Sequence, residues 1–160
     1  MAGVMRVPDV EAQRAAMRRL GFLVGEWSGE ASVLRGPGVY VEMAQTESVE
    51  FRLDGLLLAI EGVGRAKDDG RGVLQALGLI SYDDGAGMYW MRAFNDGQWL
   101  ETEVKLAEGE ESISWGFTLG EYKTSTVLRI DEKGEWTEDG ELMVGDRVVK
   151  MMDLRVRRVG

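Results

Sequence analysis

LGFLVGEWSGEAS, Leu20 to Ser32, decides how the rest of this chain is read. Helical spacing runs out at Gly21, and a period of two takes over. Trp27, Gly29, Ala31 and Val33 alternate with Glu26, Ser28, Glu30 and Ser32, which predicts a half-buried strand. Gly25 supplies a flexible entry just before Trp27, a large ring that must be seated in a core.

Upstream of that stretch, Asp9 follows Pro8 as a helix N-cap and Glu11 falls in the first turn. Arg14, Arg18 and Arg19 gather toward the other end, and Gly21 supplies the stop. Val10, Met17 and Leu20 form a thin apolar stripe. The expectation is a helix at about 9–20 lying over one end of a β structure, with a mobile lid over a pocket as the alternative.

Downstream, turn signals recur at short intervals: Gly36-Pro37-Gly38, Asp54-Gly55, Lys67–Gly70, Asp83–Gly85, Asn95–Gly97, Glu108-Gly109, Gly120, Lys133-Gly134 and Gly145-Asp146. Between them lie strand runs, the long second one from Val39 to Leu53. About ten strands joined by short turns imply an antiparallel up-and-down meander. Closure removes the two long edges of such a sheet, and a barrel of this strand number leaves room for a small ligand. The fold expected is all-β, a closed antiparallel barrel over about 26–159 with one short helix, in a single domain 1–160.

Composition narrows the function. The net charge is -9, and the one basic cluster, Arg155, Arg157 and Arg158, is too small to hold phosphates, so no nucleic-acid partner is expected. The longest apolar run, Leu56 to Ile60, is strand-length, and no membrane partner is expected. The N-terminus lacks a secretory pattern and cysteine is absent, which points to the cytoplasm. Histidine is absent too. That removes a Ser-His-Asp triad, a His base and His-ligated zinc, iron or haem, and leaves tyrosine as the remaining haem ligand. No metal and no cofactor are expected.

Phe22–Glu30, Leu53-Asp54-Gly55, Gly78–Asp83 and Met88-Tyr89-Trp90 together resemble a bacterial calycin-like family of unknown function, akin to the nitrobindins, fatty-acid-binding proteins and lipocalins. The resemblance runs from about Arg18 to the end. It implies a ten-stranded barrel with an internal ligand site and no established activity. Nitrobindins hold haem iron through a histidine, which this sequence lacks. The lipocalin-like signature pairs a Gly-x-Trp on the first strand with an arginine on the last; Gly25-Glu26-Trp27 matches the first half, and Arg157 or Arg158 the second. We expect Trp27 and Arg158 to stack at the closed end as a packing device.

Candidate ligand contacts are polar residues on apolar strand faces. Gln45 and Glu47 share the face of Val39, Val41, Met43, Val49, Phe51 and Leu53. A carboxylate there needs a partner, water or a cavity. Lys150 shares a face with Val148, Met152, Leu154 and Val156, and a Glu47–Lys150 pair across the lumen would answer both costs. A β-bulge that puts Gln45 and Glu47 outside is the alternative, and a bulge or the barrel end would also account for Lys150. Tyr122 and Thr124 fall with Thr126 and Leu128. Around Met88–Phe94 both faces are apolar: if Trp90 faces in, so does Arg92, as anchor for a ligand carboxylate; if out, the aromatics point to a subunit contact and a homodimer. Glu61 is ambiguous in the same way. Trp115, Phe117 and several methionines would supply adaptable walls.

Three functions follow as expectations. The first is binding of a small hydrophobic or amphipathic molecule inside the barrel. The second is a cofactor-independent isomerase, cyclase or hydrolase using Glu47 or Glu61 with Tyr122 and Arg92. The third is a dimerising module with a filled barrel.

Overall fold

Asp9 caps the helix through its side chain, which accepts from the Ala12 N–H at 3.0 Å, and α1 spans Val10–Arg18. These coordinates are a computed structural model describing residues 5–160; residues 1–4, included in the single domain expected, lie outside the described residues. One 3₁₀ turn at Gly21–Leu23 leads from the helix into the first strand.

The strands are β1 (Gly25–Gly36), β2 (Val39–Arg52), β3 (Leu57–Ala66), β4 (Gly72–Asp83), β5 (Met88–Asn95), β6 (Gln98–Leu106), β7 (Ser112–Trp115), β8 (Thr118–Leu119), β9 (Tyr122–Ile130), β10 (Glu135–Val144) and β11 (Arg147–Arg158). Each pairs antiparallel with its neighbour, β11 returns to β1, and β9–β10 pairing completes the ring. Both β7 and β8 lie on β9, so they are one stave interrupted. The barrel therefore has ten staves, as the turn spacing predicts.

The interruption is at Gly116-Phe117. A Cβ on Gly116 would stand 2.3 Å from the Thr124 carbonyl oxygen, so only glycine lets the chain pass β9 this closely. Ladder pairing between β6 and β7 is confined to Lys105–Ser114 and Leu106–Ile113. Toward the other end of β6 the Thr102 hydroxyl donates to the Gly116 carbonyl oxygen at 2.6 Å instead. A seam runs along this part of the wall. The sequence reading, a continuous strand from Ile113 to Leu119, did not anticipate it.

One end of the barrel is closed by packing. Trp27 and Trp136 are buried and meet edge-on, ring centroids 5.2 Å apart. Trp27 Nε1 donates to the Leu23 carbonyl oxygen at 3.0 Å. The Arg158 guanidinium lies 4.2 Å from the Trp27 ring centroid and donates to the Phe22 carbonyl oxygen at 2.7 Å. Met17, Leu20 and Leu23 bury themselves in the same cluster, and the Tyr89 hydroxyl donates to the Ala16 carbonyl oxygen at 2.7 Å. Asp84, in the turn after β4, accepts from the Asp9 N–H at 2.9 Å, from Gln13 Nε2 at 2.8 Å and from Arg6. These contacts pull its carboxyl well below the usual carboxylate range, chiefly through the Arg6 guanidinium.

Candidate ligand site in the barrel lumen

Register decides what points inward. Pairing of β1 with β2 runs unbroken from Gly25–Val49 to Leu34–Tyr40, so no bulge intervenes near Glu47. Met43, Gln45, Glu47 and Val49 all face the interior, with Gln45 0% and Glu47 6% exposed. The neighbouring strand makes room for them. Glu47 is opposite Gly62 and Gln45 opposite Gly64. A Cβ on Gly62 would lie 2.8 Å from both Glu47 carboxylate oxygens, and one on Gly64 would lie 2.6 Å from Gln45 Oε1. Two polar side chains thus lie flat on a glycine-lined part of the sheet.

Gln45 Nε2 donates to Glu47 Oε1 at 2.9 Å. Gln45 Oε1 is buried without a partner among the described residues. Such an atom loses its water and gains nothing in return, at a cost of about 1–3 kcal/mol.

A second carboxyl comes from β10. Leu128 and Leu154, which flank Glu138 on the adjoining strands, are both buried, so Glu138 faces inward with them. Trp136 Nε1 donates to Glu138 Oε1 at 3.2 Å. The two acids thus stand just above the indole floor: Glu47 is paired directly with Trp27, and Glu138 follows Trp136 by one inward step. Burial pushes the Glu47 carboxyl up to about 8, and the Glu138 charge pushes the same way. Burial raises Glu138 to about 7. Two like charges in a desolvated space resist ionising together.

Glu138 was not among the residues singled out from sequence. The signal was present: Trp136 is the one large apolar residue between Glu135 and Glu141, and its phase carries Glu138 and Gly140 inward.

Away from the floor the walls are small or apolar. Ile60, Ala76, Gly78, Ala93, Leu100, Thr102, Trp115 and Thr124 are inward yet only half-buried, so side chains do not fill the upper lumen. Asn95 Oδ1, also on the inward phase, is a second buried oxygen without a partner among the described residues. Thr124 Oγ1 accepts from the Phe117 N–H at 3.0 Å, beside the seam.

Several expected contacts lie elsewhere. A bulge at Met151, where pairing passes from Gly140–Met152 to Glu141–Lys150, turns Lys150 outward. Its Nζ lies 2.9 Å from an Asp139 carboxylate oxygen, so no Glu47–Lys150 pair forms. Trp90, 38% exposed, and Arg92 face outward, and Arg92 Nε lies 2.6 Å from Glu101 Oε1. Arg92 is therefore no anchor for an internal carboxylate. Glu61 is exposed because Gly62, not Glu61, takes the inward phase of β3. Tyr122 stands at the rim, 49% exposed. Every Lys and Arg on the barrel strands is exposed, so among the described residues the interior holds acids and no base.

A shallow groove of about 750 Å³ crosses the outer wall over β1 and β11. Most of its charged groups already have partners: Glu30 with Lys67, Lys150 with Asp139, and Arg155 and Arg157 with Glu135. That leaves the lumen as the place with unmet hydrogen bonds.

Neither a family model nor a curated protein matches this sequence. Among solved structures, Rv2717c from M. tuberculosis is similar at a TM-score of 0.71, with 15% identity over 91% of this chain and 98% of that one. The two chains share a fold. Identity this low transfers no site residue.

Proposed function

We propose that the barrel binds a small amphipathic molecule, its polar end seated among Gln45, Glu47 and Glu138 and its apolar part in the half-filled upper lumen. The observation that carries this reading is Gln45 Oε1, wholly buried and without a partner among the described residues, beside a carboxyl that glycine has been placed to admit. A calycin-like barrel, the architecture to which the fold likeness points, is suited to enclosing such a ligand. The test is mass spectrometry of protein released by gentle denaturation, compared with a Gln45→Leu variant. A molecule recovered from the first and lost from the second supports the reading; equal recovery from both defeats it.

A second reading, a cofactor-independent acid–base enzyme, draws on the two carboxyls whose proton affinities sit near neutrality. It requires turnover that fails in both Glu47→Gln and Glu138→Gln.

A further inference from the structure

We infer that the polar end of the molecule taken up in the lumen is a cation, specifically a protonated primary amine, held by Glu47, Glu138 and Gln45. The inference rests on the lumenal binding reading above and narrows it to a ligand class.

The argument is one of charge and hydrogen-bond count. Among the described residues the interior acids have no internal counter-ion, since every Lys and Arg of the barrel strands is turned outward. A buried acid pair without a base is completed by a positive ligand and opposed by a negative one. The donors already present use one oxygen of each acid: Gln45 Nε2 takes Glu47 Oε1, and Trp136 Nε1 takes Glu138 Oε1. With the acids ionised, what remains is acceptors, namely the other oxygen of each carboxyl and Gln45 Oε1, which has no partner among the described residues. A primary ammonium carries three donors and no acceptor. A carboxylate or phosphate would bring further acceptors to a place short of donors. The indoles of Trp27 and Trp136 lie just below the acids, Arg158 already stacking on Trp27, and aromatic rings favour cations at close range. The net charge of -9 favours the approach of a cation over that of an anion.

Binding has a proton signature. From the elements packed round it Glu47 faces Trp27 of β1, Gly62 of β3, Gln45 beside it and Glu138 of β10, and of these only Glu138 titrates. Both acids hold protons readily in the empty barrel, and an ammonium requires at least one of them ionised. Uptake near pH 7 therefore releases protons to the buffer.

The experiment is calorimetric titration with decylamine, decan-1-ol and decanoate, each below its aggregation threshold, in two buffers of different ionisation enthalpy. Decylamine is expected to bind one-to-one and at least tenfold more tightly than either other probe, with a buffer-dependent enthalpy that reports proton release at pH 7. Glu47→Gln and Glu138→Gln should each weaken decylamine at least tenfold, and weaken decan-1-ol by a clearly smaller factor. Gly62→Ala, which displaces the carboxylate without removing its charge, should act in the same direction and serves if a Gln variant does not fold. Decanoate or decan-1-ol binding as tightly as decylamine would overturn the amine assignment and leave lumenal binding standing. Failure of all three probes to saturate would overturn both.

Discussion

A single methyl group is enough to contest the position of Glu47. Gly62→Ala would place a carbon 2.8 Å from both oxygens of its carboxylate, closer than packed atoms tolerate. We expect a loss of about 1–3 kcal/mol, as for other overpacked interiors, read as a lower denaturant midpoint with unchanged slope. Glu47 itself couples the fold to pH. Its carboxyl is held near 8 in the barrel against an ordinary value of 4.5, so the folded chain binds the extra proton throughout that interval. The stabilisation is complete below pH 4.5 and disappears as pH climbs through 8, a decline on the order of 2–4 kcal/mol. Glu47→Gln should flatten that decline and raise the midpoint at pH 8 while changing little at pH 5. A variant that loses stability equally at both values would show the carboxyl to be ionised and partnered. Alternation offers the inward phase for Gln45 and Glu47 with a bulge as the alternative, and the unbroken pairing of β2 decides for the inward phase. Lys150 was not: a one-residue bulge leaves no mark in the hydrophobic pattern, and the side chains beyond it change face.

Among the elements, α1 and the floor beneath it depend on two small sets of contacts. Trp27 packs against Trp136 on one side and Arg158 on another. Trp27→Ala should cost about 3–5 kcal/mol, the range for large buried aromatics. Arg158→Ala should cost less, about 1–2 kcal/mol, since its stack on the ring and its bond to Phe22 are partly exposed. Chemical denaturation of the two variants side by side checks the ranking, and an Arg158→Ala loss larger than that of Trp27→Ala would contradict it. The Asp84 turn ties down the start of α1 through Asp9, Gln13 and Arg6. Because this carboxyl is held below the usual range, its contribution is present above the ordinary aspartate value and fades as pH falls. Asp84→Asn should raise the protease sensitivity of residues 6–18 and leave the barrel's near-ultraviolet circular dichroism intact. The Gly-x-Trp step announced this floor in the sequence, and the Asp9 cap announced the helix. Glu138 went unread because the first half of its strand, Glu135 to Glu141, is polar apart from Trp136 and gives alternation little to follow there.

For the whole molecule, these opposing groups place maximum stability between the acid limit that Asp84 sets below its ordinary value of 3.8 and the decline that Glu47 and Glu138 set from 4.5 upward. Thermal midpoints measured from pH 2 to pH 9 should trace a dome with its maximum on the acid side of neutrality, and the Glu47→Gln/Glu138→Gln double variant should flatten its high-pH side. The ring of ten staves was readable because nearly every connection is a short turn with its own glycine or aspartate. The break in the seventh was not, since Ser112 to Leu119 has ordinary strand composition and only the crowding around Gly116 reveals it. That seam has a temporal meaning. Each ladder bond contributes about 0.5–1.5 kcal/mol, so a length of wall joined by Thr102 and few others is the cheapest to part. Amide protons of Leu100 to Glu103 that face the seam should exchange with solvent well before those between β1 and β2. An occupant of the lumen, on the binding reading proposed above, would then come and go on the wall's own clock, with residence set by how often β6 lifts from its neighbour.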